Sequence, residues 1–417
     1  MATRSNLFFQ WKQDFNIAEL NRFNPTFFLN SNNKIQKNLL VLGEINRIST
    51  PTFEALESFQ KNHEDWLFGY ISYDAKNQLE KLESKNESSH QMKDLDFIIP
   101  ELVFEWTGIE GCAHYFPELT SKERVLEIID QLSQSKEPIK EKIKIEFEPR
   151  INRNDYLKKI EKLKKEIQYG NIYEINFCQE FFANETIDPY LTYEHLNSIS
   201  PTPYSCFVHI NDHYLMCASP EQYLEKKGDK IISKPIKGTI KRSSNKEEDE
   251  LFKSKLFHSE KDRAENVMIV DLVRNDLSKC AKKRSIKVDE LFGIYSFPQV
   301  HQMISTISMK LANKFSGIDV IKSSFPMGSM TGAPKLKAME IIEKEESFKR
   351  NLYSGSVGYF APNSDFCFNV VIRSLFYSPQ ESMLSFAVGG AITDGSIPLD
   401  EYNESMLKAK AIFEIFK

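Results

Sequence analysis

The chain has 417 residues, of which 41% are hydrophobic, 27% charged and 12% aromatic, and it carries a net charge of −5. This balance suits a folded globular protein and lacks the basic surplus that nucleic acid demands, which excludes nucleic acid as a main partner. No apolar run approaches the ~18 residues of a membrane helix, Leu7–Phe9 is too short for a signal-peptide core, and six scattered cysteines without a CxxC pair read as reduced thiols, so the expectation is a cytoplasmic protein that binds no membrane.

In residues 1–110 aromatic and polar positions alternate, as in Phe68–Tyr73 and Ile98–Trp106, which predicts β-strands. Lys76–Asp96, rich in Lys, Glu, Ser and Asn, reads as an exposed loop or ragged helix. Thr120–Glu148 opens as a helix with Val125, Ile128, Ile129 and Leu132 on one face, then runs through Lys136–Glu137–Pro138 into a charged strand. The texture changes near residue 150, which divides the chain into an N-terminal subdomain, 1–150, and a second region, 151–417.

A helix from Asn154, capped by Asn154 or Asp155, carries the stripe Tyr156, Ile160, Leu163 and Ile167. Gly170 ends it and Ile172–Phe182 continues as a strand. Strands dominate to Ile240, and a helix over Asn245–Leu277 breaks near His258. Ile304–Leu311 reads as a strand, Lys335–Glu345 as a helix, Ser354–Tyr377 as a strand pair, and Ser385–Ile392 as the last strand before a helix from Pro398.

Several of these elements carry chemistry. In Pro235–Ile236–Lys237–Gly238–Thr239 a strand runs into a turn where freed amides and a hydroxyl can receive an anion beside Lys237. Asp262 and Glu265 stand three apart on one helix, Glu401 and Glu404 repeat that spacing on another, and Lys408 follows one turn later. Two such acidic pairs are either solvated helix faces or an oxygen ligand set for Mg²⁺. Asp271, Arg274, Asn275 and Asp276 interrupt an apolar helix and need internal partners or a ligand. Ser219–Pro220–Glu221 places a carboxyl at the lip of a strand, where it can be tuned as a general acid.

The loop Phe325–Lys335, with Ser329 inside it, ends at a helix start whose amides suit a carboxylate or phosphate. It is not a phosphate-binding Walker loop, because Ala333–Pro334–Lys335 follows its second glycine. Gly389–Gly390–Ala391 precedes the last helix, with Asp394 or Ser396 available to cap it. Tyr353 is either core packing or a phenol donor, and Arg373 either an internal ion pair or a fork for a carboxylate.

Taken in order, Gly170–Gln179, Ser219–Glu221, Pro235–Thr239, Lys261–Leu277, Phe325–Lys335, Tyr353–Arg373 and Gly389–Lys408 resemble the chorismate-utilising enzymes, the family of anthranilate, aminodeoxychorismate, isochorismate and salicylate synthases. The matches cover most of residues 150–417, and Phe68–Asp74 looks like the aminodeoxychorismate branch. The resemblance implies an α+β fold in which two large antiparallel β-sheets pack face to face with helices outside. It implies Mg²⁺ held directly by Glu265 and Glu404 and through water by Asp262 and Glu401. Gly238 and Thr239 would approach the ring carboxylate of chorismate. Tyr353 and Arg373 would take the enolpyruvyl carboxylate, with Ser329, Gly389, Ala391 and Lys408 completing the substrate cage.

Lys237 selects the branch: anthranilate synthases carry Ala there, and the lysine resembles that of enzymes that aminate C4. In that branch the lysine amine adds at C2 as the C4 hydroxyl leaves, ammonia then enters at C4, and Glu221 handles the departing hydroxyl. A free lysine is mostly protonated, so the site is expected to lower its pKa. Two departures matter. Glu174 stands where anthranilate synthases have Gln and the water-adding synthases have a catalytic Lys. Gln302 stands where many relatives have a His tied to pyruvate loss, and the neighbouring His301 is expected to substitute in part. No Leu-Leu-Glu-Ser motif for tryptophan feedback is evident. None of the six cysteines has the setting of a glutaminase nucleophile, so ammonia is expected from a separate glutamine amidotransferase subunit. Anthranilate synthesis is the alternative reading, and Lys237 argues against it.

Overall fold

The computed structural model describes residues 3–11, 15–32, 37–50, 52–134 and 144–417. Among these residues twenty strands join through antiparallel ladders into one continuous network. It branches at Leu95–Thr107, which pairs along nearly its whole length with Asn38–Thr50 and, on separate stretches, with Leu67–Ile71 and Glu110–Tyr115. One arm continues through Thr26–Asn30, Tyr204–Ile210, His213–Ser219, Ser374–Ser378, Met383–Ile392 and Glu174–Asn184. The other continues through Ser356–Phe360, Phe366–Asn369, Gln222–Lys227, Lys230–Lys234 and Val300–Lys310.

The largest core cluster draws on both arms, with Val208, Leu215 and Phe376 from the first and Ile231, Ile307, Phe360 and Phe368 from the second. The expected pair of facing antiparallel sheets is therefore two arms of one hydrogen-bonded ladder folded over a shared core. Helices lie outside. Lys122–Leu132, Pro189–Ile199 and Pro398–Ile415 cover a second cluster. Arg153–Gln168 and Lys335–Glu345 cover a third.

The predicted helices stand, with corrections at their ends. Arg153–Gln168 is capped by Asn152, whose side chain accepts from Asp155 N–H, rather than by Asn154 or Asp155. The long acidic helix breaks as expected into Lys246–Phe257 and Glu260–Ser278, the second capped by Ser259. The last helix begins at Pro398 with no side-chain cap, because Ser396 Oγ accepts from Thr393 N–H instead.

Lys76–Asp96 is not simply exposed: Lys76 is fully buried and binds Asp74 and Glu343, while Ser89 and His90 are buried too. The strand expected from Ile304 starts at Val300 and has an unforeseen neighbour, Lys287–Ser296, whose apolar residues follow no period of two and lie partly or fully exposed. Ser354–Tyr377 contains three strands, not two. Lys136–Pro138 lies outside the described residues. No helix among the described residues is long and apolar enough to cross a membrane. All six cysteines are free thiols, and five are buried.

Candidate active site

Where the ends of several strands meet the helix Glu260–Ser278, a cleft of roughly 850 Å³ opens, counting its mouth. Lys237 reaches it through a local irregularity. Ile236 pairs with Ile304 and Thr239 with Gln302, and the register shifts between them, so a bulge turns Lys237 and Gly238 inward. Gly238 has φ +94°, and a Cβ there would sit 3.1 Å from Asp262 Oδ1. Glycine is thus needed for both the backbone torsion and the close approach of the acidic helix. That helix is pinned by Ser305 Oγ, which donates to Asn266 Oδ1 at 2.6 Å.

Every predicted site residue lines this cleft except Glu401: Glu221, Lys237, Gly238, Thr239, Asp262, Glu265, Ser329, Tyr353, Arg373, Gly389, Ala391, Glu404 and Lys408 all face it. Glu401 sits behind, buried, and accepts from Lys261 Nζ at 3.0 Å. Gly389 is fixed by its ladder. It lies opposite Cys178, and a Cβ would meet the Phe177 carbonyl at 2.2 Å, so only glycine lets this strand carry the cleft wall.

The carboxyls differ in charge state. Ser329 Oγ donates to Glu221 Oε1 at 2.7 Å, yet burial dominates and pushes Glu221 up to about 7, against the opposing pull of Ser329, Lys237 and Arg373. Burial likewise pushes Glu265 up to about 7 and raises Asp262. Glu404 goes the other way, held below the usual carboxylate range by Lys408, 2.8 Å distant. Burial brings the Arg373 guanidinium down to about 10, with Glu221 resisting. Burial also raises the Tyr353 phenol well above its ordinary value, so it is a neutral donor.

The expectation of a lowered Lys237 is not met. Burial by itself lowers its ammonium, but Glu174, Glu265 and Glu221 together outweigh that effect and raise the value above that of a free lysine. The strongest of these contacts is direct, Lys237 Nζ to Glu174 Oε1 at 2.5 Å.

A divalent cation fits beside Glu265. Its Oε1 is buried without a hydrogen bond, and the Lys261 ammonium lies 3.9 Å away, too far to satisfy it. Among the described residues no three Asp, Glu, His or Cys side chains close into a ready-made ligand set. Mg²⁺ does not require one, since it takes one or two carboxylates and fills its shell with waters and substrate oxygens.

Two other expectations fail. The start of the helix Lys335–Glu345 does not line the cleft, because Lys335 Nζ turns back to bind Asp276 and the carbonyls of Ser324 and Pro326. That contact supplies the internal partner Asp276 needed. His301 cannot stand in for a missing histidine. It is fully buried on the far side of its strand, between Asp249 Oδ1 and Ser296 Oγ, each 2.9 Å away, while Gln302 faces the cleft.

Sequence reasoning also passed over three residues. Asn176 and Lys261 line the cleft, and the i,i+4 spacing of Lys261 and Glu265 is a signal that could have found the lysine. The buried Arg350 gave no local sign. It binds Glu346 and donates to the carbonyls of Met330 and Asn176, tying the Ser329 loop to the strand Glu174–Asn184.

Residues 19–414 match the family model of chorismate binding enzymes. Aminodeoxychorismate synthase component 1 of Bacillus subtilis (strain 168) is 30% identical over 376 residues, 86% of this chain and 79% of that one. The protein of the same name from Escherichia coli (strain K12) is 31% identical over 353 residues, 84% and 75% of the two chains. The chloroplastic aminodeoxychorismate synthase of Arabidopsis thaliana is 40% identical over 294 residues, 70% of this chain but 31% of its own length. Among solved structures, the menaquinone-specific isochorismate synthase of Escherichia coli aligns with a TM-score of 0.80 at 18% identity, over 100% of this chain and 96% of that one. Anthranilate synthase component I of Streptococcus pneumoniae TIGR4 aligns with 0.76 at 23%, over 99% and 92%. At such identities the likeness is one of fold.

Proposed function

Because the chain belongs to the chorismate binding enzyme family, we propose that it is an aminodeoxychorismate synthase component I, converting chorismate and ammonia to 4-amino-4-deoxychorismate on the route to p-aminobenzoate and folate. The observation that carries this reading is Lys237, a buried lysine aimed into the cleft by a bulge, with the protonatable Glu221 lining the same space.

Chorismate is a dianion whose two carboxylates need cations or amide donors. Arg373 and the neutral Tyr353 bind the enolpyruvyl carboxylate, and Gly238 and Thr239 approach the ring carboxylate. Glu265 and Glu404, with Asp262 beside them on the cleft wall, would hold Mg²⁺, which would supply the charge that lets a dianion sit among carboxylates, while Glu401 behind them would hold Lys261 in place. Lys408 and the strand Gly389–Ala391 close the cage.

The Lys237 amine forms a bond to C2, the two ring double bonds shift, and the C4–oxygen bond breaks. Glu221 donates the proton that lets the oxygen leave as water, a task matched to a carboxyl whose pKa is near 7. Ammonia then attacks C4, the double bonds shift back, and the lysine leaves. The enolpyruvyl group is untouched.

Nitrogen comes from a separate glutamine amidotransferase subunit, and the free thiols suit a cytoplasmic site of action. The test is mass analysis of the product from chorismate, Mg²⁺ and ammonium. Aminodeoxychorismate is expected, whereas anthranilate with free pyruvate sinks the assignment. With glutamine as sole nitrogen source the isolated chain should be inactive, and robust turnover would reveal an intrinsic glutaminase.

A further inference from the structure

Lys237 must lose a proton before it can attack carbon, and the carboxylates around it oppose that loss. One of them also offers the way out. Glu174 Oε1 accepts from Lys237 Nζ at 2.5 Å, with both side chains buried. Its other oxygen, Oε2, is enclosed with no hydrogen-bond partner. The pair is thus in direct hydrogen-bond contact, and the second oxygen is engaged by no other group, which is the geometry a proton transfer between them needs. The strand that carries Glu174 is held on both sides, by Met383–Ile392 from Ile175 onward and by the short pairing of Glu174 with Ala333, which fixes the backbone from which the carboxyl reaches the lysine.

Resting on the reading of Lys237 as nucleophile, we propose that Glu174 is the catalytic base of this chain: it takes the proton from Lys237 Nζ when substrate fills the cleft and returns it when the lysine is expelled. Water leaving the cleft makes an ion pair costlier and a neutral amine–acid pair relatively cheaper, which favours the transfer. The other groups that act on Lys237 from neighbouring elements are Glu221, Glu265 and, through Lys237's effect on it, Glu404. None has a direct bond to Nζ among the described contacts; Glu221 is committed to the leaving hydroxyl and the other two to the cation.

The protons balance over the cycle. The Lys237 proton goes to Glu174, and the neutral amine bonds to C2 while the Glu221 proton departs with the C4 oxygen as water. Ammonia bonds to C4, and the C2–nitrogen bond breaks with its electron pair staying on lysine. The new ammonium at C4 gives one proton back to Glu221, and Glu174 gives its proton back to Lys237.

The experiment mixes the protein with chorismate and Mg²⁺ in the absence of ammonia. Intact-protein and peptide mass analysis then follows the adduct of chorismate minus water on Lys237 between about pH 6 and pH 9. In wild type the adduct forms near neutrality. Glu174→Gln, which cannot accept a proton, should form it at least about tenfold more slowly near pH 7, and its rate relative to wild type should climb as pH rises and the lysine ionises unaided. The ratio cancels the shared dependence on Glu221. Glu174→Asp, which keeps a carboxylate, should be slower by a factor that does not change with pH. Glu174→Gln that equals wild type, or that is slowed equally at every pH, overturns the base assignment while leaving the nucleophile in place. A wild type that forms no adduct on Lys237 overturns the nucleophile reading, and this inference with it.

Discussion

Lys237 is acted on by Glu174, Glu265 and Glu221, and acts in turn on Glu221 and Glu265, and the consequences are measurable residue by residue. Glu265 has an ordinary value of 4.5 that burial raises to about 7 in the folded chain. A carboxyl raised in this way contributes stability below its unfolded value and loses it as pH rises through the folded one. The metal-free protein should therefore weaken as pH climbs from about 4.5 toward 7, with Glu221 adding to the same slope. Calorimetry of Glu265→Gln should show a shallower slope and, at pH above 7, a gain of roughly 1–3 kcal/mol over metal-free wild type. Mg²⁺ should raise the melting temperature of wild type and leave the variant nearly unmoved. An unchanged slope, or equal stabilisation of both proteins by Mg²⁺, would contradict the assignment of Glu265. At the same scale Glu221 predicts that turnover declines above about pH 7, as the acid form of its carboxyl disappears. A rate that keeps rising with pH would remove Glu221 from the role of acid.

Single elements place these groups. Helix periodicity in Tyr156, Ile160 and Leu163 was readable because one apolar face repeats every 3.6 residues, and all three are buried. The cap was misplaced by two residues because Asn152, Asn154 and Asp155 are all competent capping types, and only backbone geometry chooses between them. Asn152→Ala should destabilise the protein by about 1 kcal/mol without altering turnover. Asn154→Ala should stay within about 0.5 kcal/mol of wild type. Chemical denaturation distinguishes the two, and equal losses would undo the cap assignment. The strand Lys287–Ser296 gives no signal for the opposite reason: Val288, Leu291, Phe292, Ile294 and Tyr295 follow no period of two and none is buried, and it exists because Val300–Lys310 offers it a hydrogen-bonding edge.

At the scale of the whole molecule, ladders cross the change in texture near residue 150. Thr26–Asn30 pairs with Tyr204–Ile210, and Leu67–Ile71 with Ser356–Phe360. A fragment of residues 151–417 would therefore leave open edges and strip the shared core of Phe27, Phe68, Phe97 and their neighbours, turning the residues packed on them toward water. Expressed alone it should aggregate or melt without cooperativity, and co-expression with 1–150 should restore solubility. A monomeric, cooperatively folding fragment in size-exclusion and calorimetric runs would show that the ladder is dispensable. The buried pair Arg350–Glu346 belongs to the same scale, since it joins the Ser329 loop, the strand bearing Asn176 and the backbone of Cys178 at one point.

The sequence by itself determined what depends on residue type and short spacing. Each acidic pair, the lysine before its Gly-Thr turn and the small glycine wall is a pattern complete within a few neighbouring residues, and the family resemblance is the order in which such short patterns follow one another. Tertiary structure alone decided which distant groups meet. Nothing local in Glu174 announces Lys237, in Ser329 announces Glu221, or in His301 announces that it turns to Asp249 while Gln302 faces the cleft. The cause is register. Along a strand the side chains alternate faces, so a one-residue difference in pairing decides which side chain enters the site and which enters the core. Charge state follows, because a lysine's pKa depends on the carboxylates that the ladder brings beside it and on the water that the fold removes.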